Sequence, residues 1–173
     1  MPSADDILAN NLGDALGQAQ KFVFSGIVSA ALLVLLSFDS PELISLKQKI
    51  KVERFGEVAP GMAAIILWLT YLISGFLANA AITRITDITS RINSDEMTKA
   101  MLTRFSIVTL ESATLRVSAA LLAPVLLLIS YTVEQARGAI PPTVIIAALG
   151  ILAISAPYVV LAFRLVKPLK VRG

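Results

Sequence analysis

A chain of 173 residues with 56% hydrophobic and 16% charged residues, and a mean hydropathy of +0.79, lies far from water-soluble domains, where charged residues run near 25%. The composition predicts an all-α integral membrane protein. Cysteine and histidine are both absent, which excludes disulfides, thiolate nucleophiles, iron–sulfur clusters and haem attachment, and removes the commonest general base and transition-metal ligand. The net charge is +3, but no basic stretch carries interleaved aromatics, so the bases point to lipid headgroups and not to nucleic acid.

Residues 1–21 read as an amphipathic helix. Ser3 with Asp6 makes an N-terminal cap pattern, and Leu8, Leu12, Leu16 and Ala19 recur on one stripe. Gly13 and Gly17 weaken it by roughly 1 kcal/mol each relative to alanine, so docking on the membrane surface or a partner is expected to hold it. The acids Asp5, Asp6 and Asp14 precede the first base, Lys21, unlike a secretory signal.

Residues 22–38 form the first predicted span. Ser25, Gly26 and Ser29 place small side chains where another helix could approach closely. Residues 39–58 form an extracytoplasmic loop of mixed charge in which Lys49–Val52 alternates polar and apolar, the pattern of a short strand pair or an interfacial segment.

Residues 59–82 form the second span, free of charge and about long enough to cross a hydrocarbon core of roughly 30 Å. Pro60 stands at its first turn, where the missing N–H does no harm. Tyr71, Gly75 and Asn79 share one face at a spacing of four, the face expected to pack on another helix or to line a pore. Without an intervening proline or glycine the span continues into an amphipathic segment, so one helix of about 35 residues is expected. There Ile85, Ile88 and Ile92 fall on one side, and Arg84, Asp87, Arg91 and Asp95 on the other.

Residues 83–115 are read as a cytoplasmic helical module. Asn93 with Glu96 suggests a fresh start for a short helix bearing Met97, Met101 and Phe105, and the stretch from Ser106 to Thr114 reads as extended or irregular. The apolar residues Ile85, Ile88, Ile92, Met97, Met101 and Phe105 need a cover, which makes them candidates for partner binding or assembly.

Arg116 opens the third span, residues 116–133, with Pro124 inside it, and a short loop, residues 134–142, leads to the fourth span, residues 143–163, with Pro157 inside it. Residues 164–173 form a basic tail in which Arg164, Lys167, Lys170 and Arg172 are candidates for binding anionic headgroups. The expected architecture is four transmembrane helices in two antiparallel hairpins.

Orientation follows from the bases. One side holds Lys21, Arg84, Arg91, Lys99, Arg104, Arg116, Arg164, Lys167, Lys170 and Arg172, and the other Lys47, Lys49, Lys51, Arg54 and Arg137. That asymmetry puts both termini in the cytoplasm, in the inner or plasma membrane of a bacterium.

No phosphate loop, metal-spaced cluster or hydrolytic triad is present in the sequence, and apart from Arg116 at the edge of the third span no span holds Asp, Glu, Lys or Arg. The expectation is therefore a protein with no catalytic, cofactor or metal site. It would act as a homo-oligomer or a subunit of a larger membrane complex, recruiting a partner protein at the cytoplasmic face. The alternative is a homo-oligomeric pore or membrane-disrupting effector gated by the cytoplasmic helices.

Overall fold

The computed structural model of the chain describes residues 4–39, 50–52, 56–58, 60–92, 106–110, 112–136 and 144–166. Within them lie four long helices, α1 (Ala4–Asp39), α2 (Pro60–Arg91), α3 (Ala113–Ala136) and α4 (Val144–Val166), with a two-stranded hairpin of β1 (Ile50–Val52) and β2 (Gly56–Val58) between α1 and α2. The strands are antiparallel, with Ile50 opposite Val58 and Val52 opposite Gly56. The described part of the alternating stretch, Ile50–Val52, is thus one strand of a pair.

The separate N-terminal helix expected from the sequence is instead the first part of α1, which runs unbroken for 36 residues. Nothing between Gln20 and Phe22 interrupts a helix, and Leu12, Ala15, Leu16 and Ala19 are buried, so packing outweighs the two weak glycines. α2 begins at Pro60 and continues through the apolar-to-charged transition to Arg91. Arg91 in its last turn complements the negative end of the helix dipole.

The segment expected to be irregular is more ordered than its propensities suggest. Ser106 caps a 3-10 turn over Ile107–Thr109, its hydroxyl accepting from the Val108 N–H while its own N–H donates to Thr109 Oγ1 at 3.0 Å. Ser112 then accepts from the Leu115 N–H, so α3 starts at Ala113, before Arg116. Side-chain hydrogen bonds to the backbone replace the helix propensity that this stretch lacks.

The chain groups into two compact units. The first comprises Met1–Phe24, Ser74–Leu121 and Pro157–Gly173, the second Ser25–Ile73 and Leu122–Ala156. In chain order α1 and α3 pass from the first into the second, and α2 and α4 pass back.

The second unit has an apolar exterior. Leu32, Leu35, Phe38, Ile65, Ile66, Leu69, Ile73, Val125 and Leu128 are all exposed, and its described side chains carry no charge. Its interior holds mostly small and hydroxylated residues, Ser29, Ala30, Ser37, Tyr71, Ala123, Ser130 and Ser155, together with Leu33 and Leu127. The Ser37 and Ser130 hydroxyls lie 2.5 Å apart, Ser37 also donating to the Leu33 carbonyl, and the Tyr71 hydroxyl meets that of Ser155 at 3.1 Å. Large apolar side chains outside and small or polar ones at helix contacts is the arrangement of helices packed in lipid, where apolar burial gives no net drive and close packing and hydrogen bonds take over.

The first unit changes character along α1 and α2. Asp14, Gln18 and Lys21 on α1, and Thr83, Arg84, Thr86, Asp87, Ser90 and Arg91 on α2, face outward. Leu12, Leu16, Ile82, Ile85, Ile88, Ile107, Val108 and Leu161 are buried. Three segments, Asp6–Phe38, Gly61–Arg91 and Ala113–Val133, are long and apolar enough to cross a membrane, and Gly150–Val166 is a shorter apolar helix.

Candidate functional site

The polar chemistry of the first unit concentrates where α2 meets α4. It starts with a glycine. A Cβ built on Gly75 would lie 2.8 Å from Cε2 of Tyr158 and 3.0 Å from Cβ of Pro157, so only glycine lets α4 come this near. Beside it a side-chain hydrogen bond joins Tyr158 to Ser74.

One turn on, Asn79 uses both amide hydrogens. Nδ2 donates to the Gly75 carbonyl of its own helix at 3.0 Å and to the Pro157 carbonyl of α4 at 2.6 Å. Oδ1 is buried and accepts no hydrogen bond from the described residues. A further turn on, Thr83 Oγ1 donates to the Asn79 carbonyl at 3.0 Å and accepts from Nη1 of Arg164 at 2.7 Å; the same Nη1 lies 3.3 Å from the Asn79 carbonyl. Gly75, Asn79 and Thr83 recur at four-residue spacing, which keeps them on one side of α2. Proline and arginine on α4 supply the acceptor and the donor.

A second polar cluster surrounds Arg116, which is only 5% exposed. Its Nε donates to the Leu165 carbonyl at 2.9 Å and its Nη1 to the Leu110 carbonyl. Leu165 lies in the last turn of α4, where helix carbonyls lack intrahelical partners. The arginine therefore caps α4 from the side and ties it to the residue that follows the 3-10 turn. A cation so near the start of its own helix is unfavourably placed for that dipole, and the α4 carbonyls at the opposite polarity offset this.

Of the residues marked from sequence, Ile85, at 0% exposure, Ile88 and Ile92 are buried by this chain itself. The outward side belongs to Arg84, Asp87 and Arg91, the last two paired at 2.9 Å. Met97, Met101 and Phe105 lie outside the described residues, as do Lys167, Lys170 and Arg172. Gly26 and Ser29 are buried and Ser25 half-buried on α1. Tyr71 bonds Ser155 in the second unit, while Gly75 and Asn79 join the α4 contacts of the first.

Sequence reading missed Ser37, Ser130, Tyr158 and the burial of Arg116. The hydroxyls were visible as interruptions of apolar runs, but nothing in the spacing shows which pairs meet. Arg116 reads as one more flanking base until its burial is seen. Comparison with protein-family models, with curated proteins and with solved structures finds no match for the chain.

Proposed function

We propose that the chain is a non-enzymatic membrane subunit with four spans in two antiparallel hairpins and both termini in the cytoplasm. It assembles with other copies or subunits and presents a helical surface to a soluble partner. The observation that carries this reading is the change of exterior along one continuous helix. On α2 the exposed side chains are Met62, Ile65, Ile66, Leu69, Ile73, Phe76, Leu77 and Ala80, then, without a break, Thr83, Arg84, Thr86, Asp87, Ser90 and Arg91. A helix of 32 residues is about 48 Å long, well beyond the roughly 30 Å hydrocarbon core. The length beyond the core has a buried apolar stripe and a polar outer face, so it stands as folded structure at the membrane surface and not as a frayed end.

A docking role then falls to the outer face of Arg84, Asp87 and Arg91, because Ile85, Ile88 and Ile92 are already covered. A pore lined by Tyr71, Gly75 and Asn79 has less support, because Ser155, Tyr158 and Pro157 of the same chain already engage these three. The reading is tested by placing a photo-crosslinking residue at Ser90 or Asp87 in cells and purifying in mild detergent. A discrete adduct, lost when Arg84 and Arg91 are both reversed to Glu in membrane-inserted protein, is expected. A chain that shows no adduct and migrates alone would contradict it.

A further inference from the structure

This inference rests on the membrane reading and names a ligand for one part of the surface. Arg164 is exposed on α4, yet its guanidinium does not swing free, because Nη1 is held by Thr83 Oγ1 and the Asn79 carbonyl. Its Nε and Nη2 hydrogens meet no acceptor among the described residues. That free edge is the planar two-donor fork that fits an oxyanion bidentately. Arg84, next to Thr83 along α2, is also exposed and makes no hydrogen bond or ion pair with a described residue.

The surroundings are apolar on one side and polar on the other. Phe163, the neighbour of Arg164, is 74% exposed, and Phe76 on α2 is 61% exposed. Phe76, Ala80 and Thr83 follow one another at four and three residues and are all exposed, so they form one strip of helix surface leading from an aromatic ring past a small residue to the hydroxyl that holds Arg164. The strip thus joins exposed hydrocarbon to a cationic fork at the level where the exterior of α2 turns from apolar to polar. A free anion would use only the cationic end. A lipid uses both.

We propose that Arg164, positioned by Thr83 and supported by Arg84, binds the phosphate of an anionic phospholipid whose acyl chain lies along Phe76 and Phe163.

The test is lipid titration of the purified full chain by native mass spectrometry, with phosphatidylglycerol, phosphatidylcholine and inorganic phosphate as separate probes. Phosphatidylglycerol should bind in preference to phosphatidylcholine. Arg164→Gln and Arg84→Gln should each weaken its binding roughly fivefold, and Thr83→Val, which keeps the charge but releases the fork, should weaken it less. Unchanged phosphatidylglycerol binding in both arginine variants would overturn the proposal, as would equal binding of the two lipids or displacement of the lipid by inorganic phosphate at the lipid's own concentration. Should Arg164→Gln also lower the melting temperature, Arg84→Gln decides. Failure of the parent chain to remain in membranes after alkaline extraction would instead sink the membrane reading itself.

Discussion

The side-chain amide of Asn79 on α2 donates to the carbonyl of Pro157 on α4 across 2.6 Å, so the one carboxamide in the uncharged stretch of α2 is spent on a neighbouring helix of the same chain. Interhelical bonds of this kind contribute roughly 0.6–2 kcal/mol in membrane proteins. Asn79→Leu removes that bond, but it also removes the buried, unaccepted Oδ1, which offsets part of the loss. The expected outcome is a destabilisation near the lower end of that range, read as a lower unfolding midpoint in mixed detergent. A raised midpoint would mean the bond contributes nothing.

Gly75 and Gly17 should respond oppositely to the same substitution. A Cβ at Gly75 meets the Tyr158 ring at 2.8 Å, whereas one at Gly17 meets nothing within 4 Å. Gly75→Ala must push α4 away and is expected to destabilise by about 1–3 kcal/mol. Gly17→Ala only removes the entropy cost of glycine in a helix and is expected to stabilise by about 0.5–1 kcal/mol. Thermal unfolding of the two variants side by side checks both signs.

Arg116 is predicted to matter more than any exposed base. Arg116→Leu strands the carbonyls of Leu110 and Leu165, at roughly 1–3 kcal/mol for each one left buried. Arg116→Lys keeps the charge but loses the fork that serves two acceptors at once, so an intermediate loss is expected. Faster amide exchange in the last turn of α4, in both variants, would locate the effect there.

On the extended part of α2 the buried and exposed faces should separate cleanly. Asp87→Ala removes one exposed i, i+4 pair with Arg91, worth about 0.3–0.5 kcal/mol. Ile88→Asp places a carboxylate in the core of the first unit, at several kcal/mol. Limited proteolysis of membrane-inserted protein should show Ile88→Asp opened and Asp87→Ala unchanged; equal tolerance would mean that the first unit has no packed core.

How far the sequence carried depended on whether the signal was local. Helix type, the run of α2 through Arg84 and Arg91, and the place of Pro60 follow from periodicity and the absence of breakers over tens of residues. The Tyr71, Gly75 and Asn79 face was legible because four-residue spacing is a property of one helix. Its partner was not, because the choice of Ser155, Tyr158 and Pro157 depends on how two helices are registered. The stripe of Ile85, Ile88 and Ile92 was legible as needing a cover, but whether the cover is another protein or this chain is a long-range fact that no pattern records. The join between the N-terminal amphipathic stretch and the first apolar run was misread because a change of composition resembles a boundary, while the backbone registers only breakers and packing.

The most direct measurement uses the absence of native cysteine, which makes single introduced cysteines clean probes. Ser90→Cys on the polar length of α2, and Ser45→Cys and Gly138→Cys at positions that the proposed topology assigns to the other side, are expressed in intact cells and treated with a membrane-impermeant maleimide. The four-span arrangement with a cytoplasmic helical surface predicts labelling at positions 45 and 138, and labelling at position 90 only after permeabilisation. Labelling of position 90 in intact cells, with 45 and 138 protected, would contradict it.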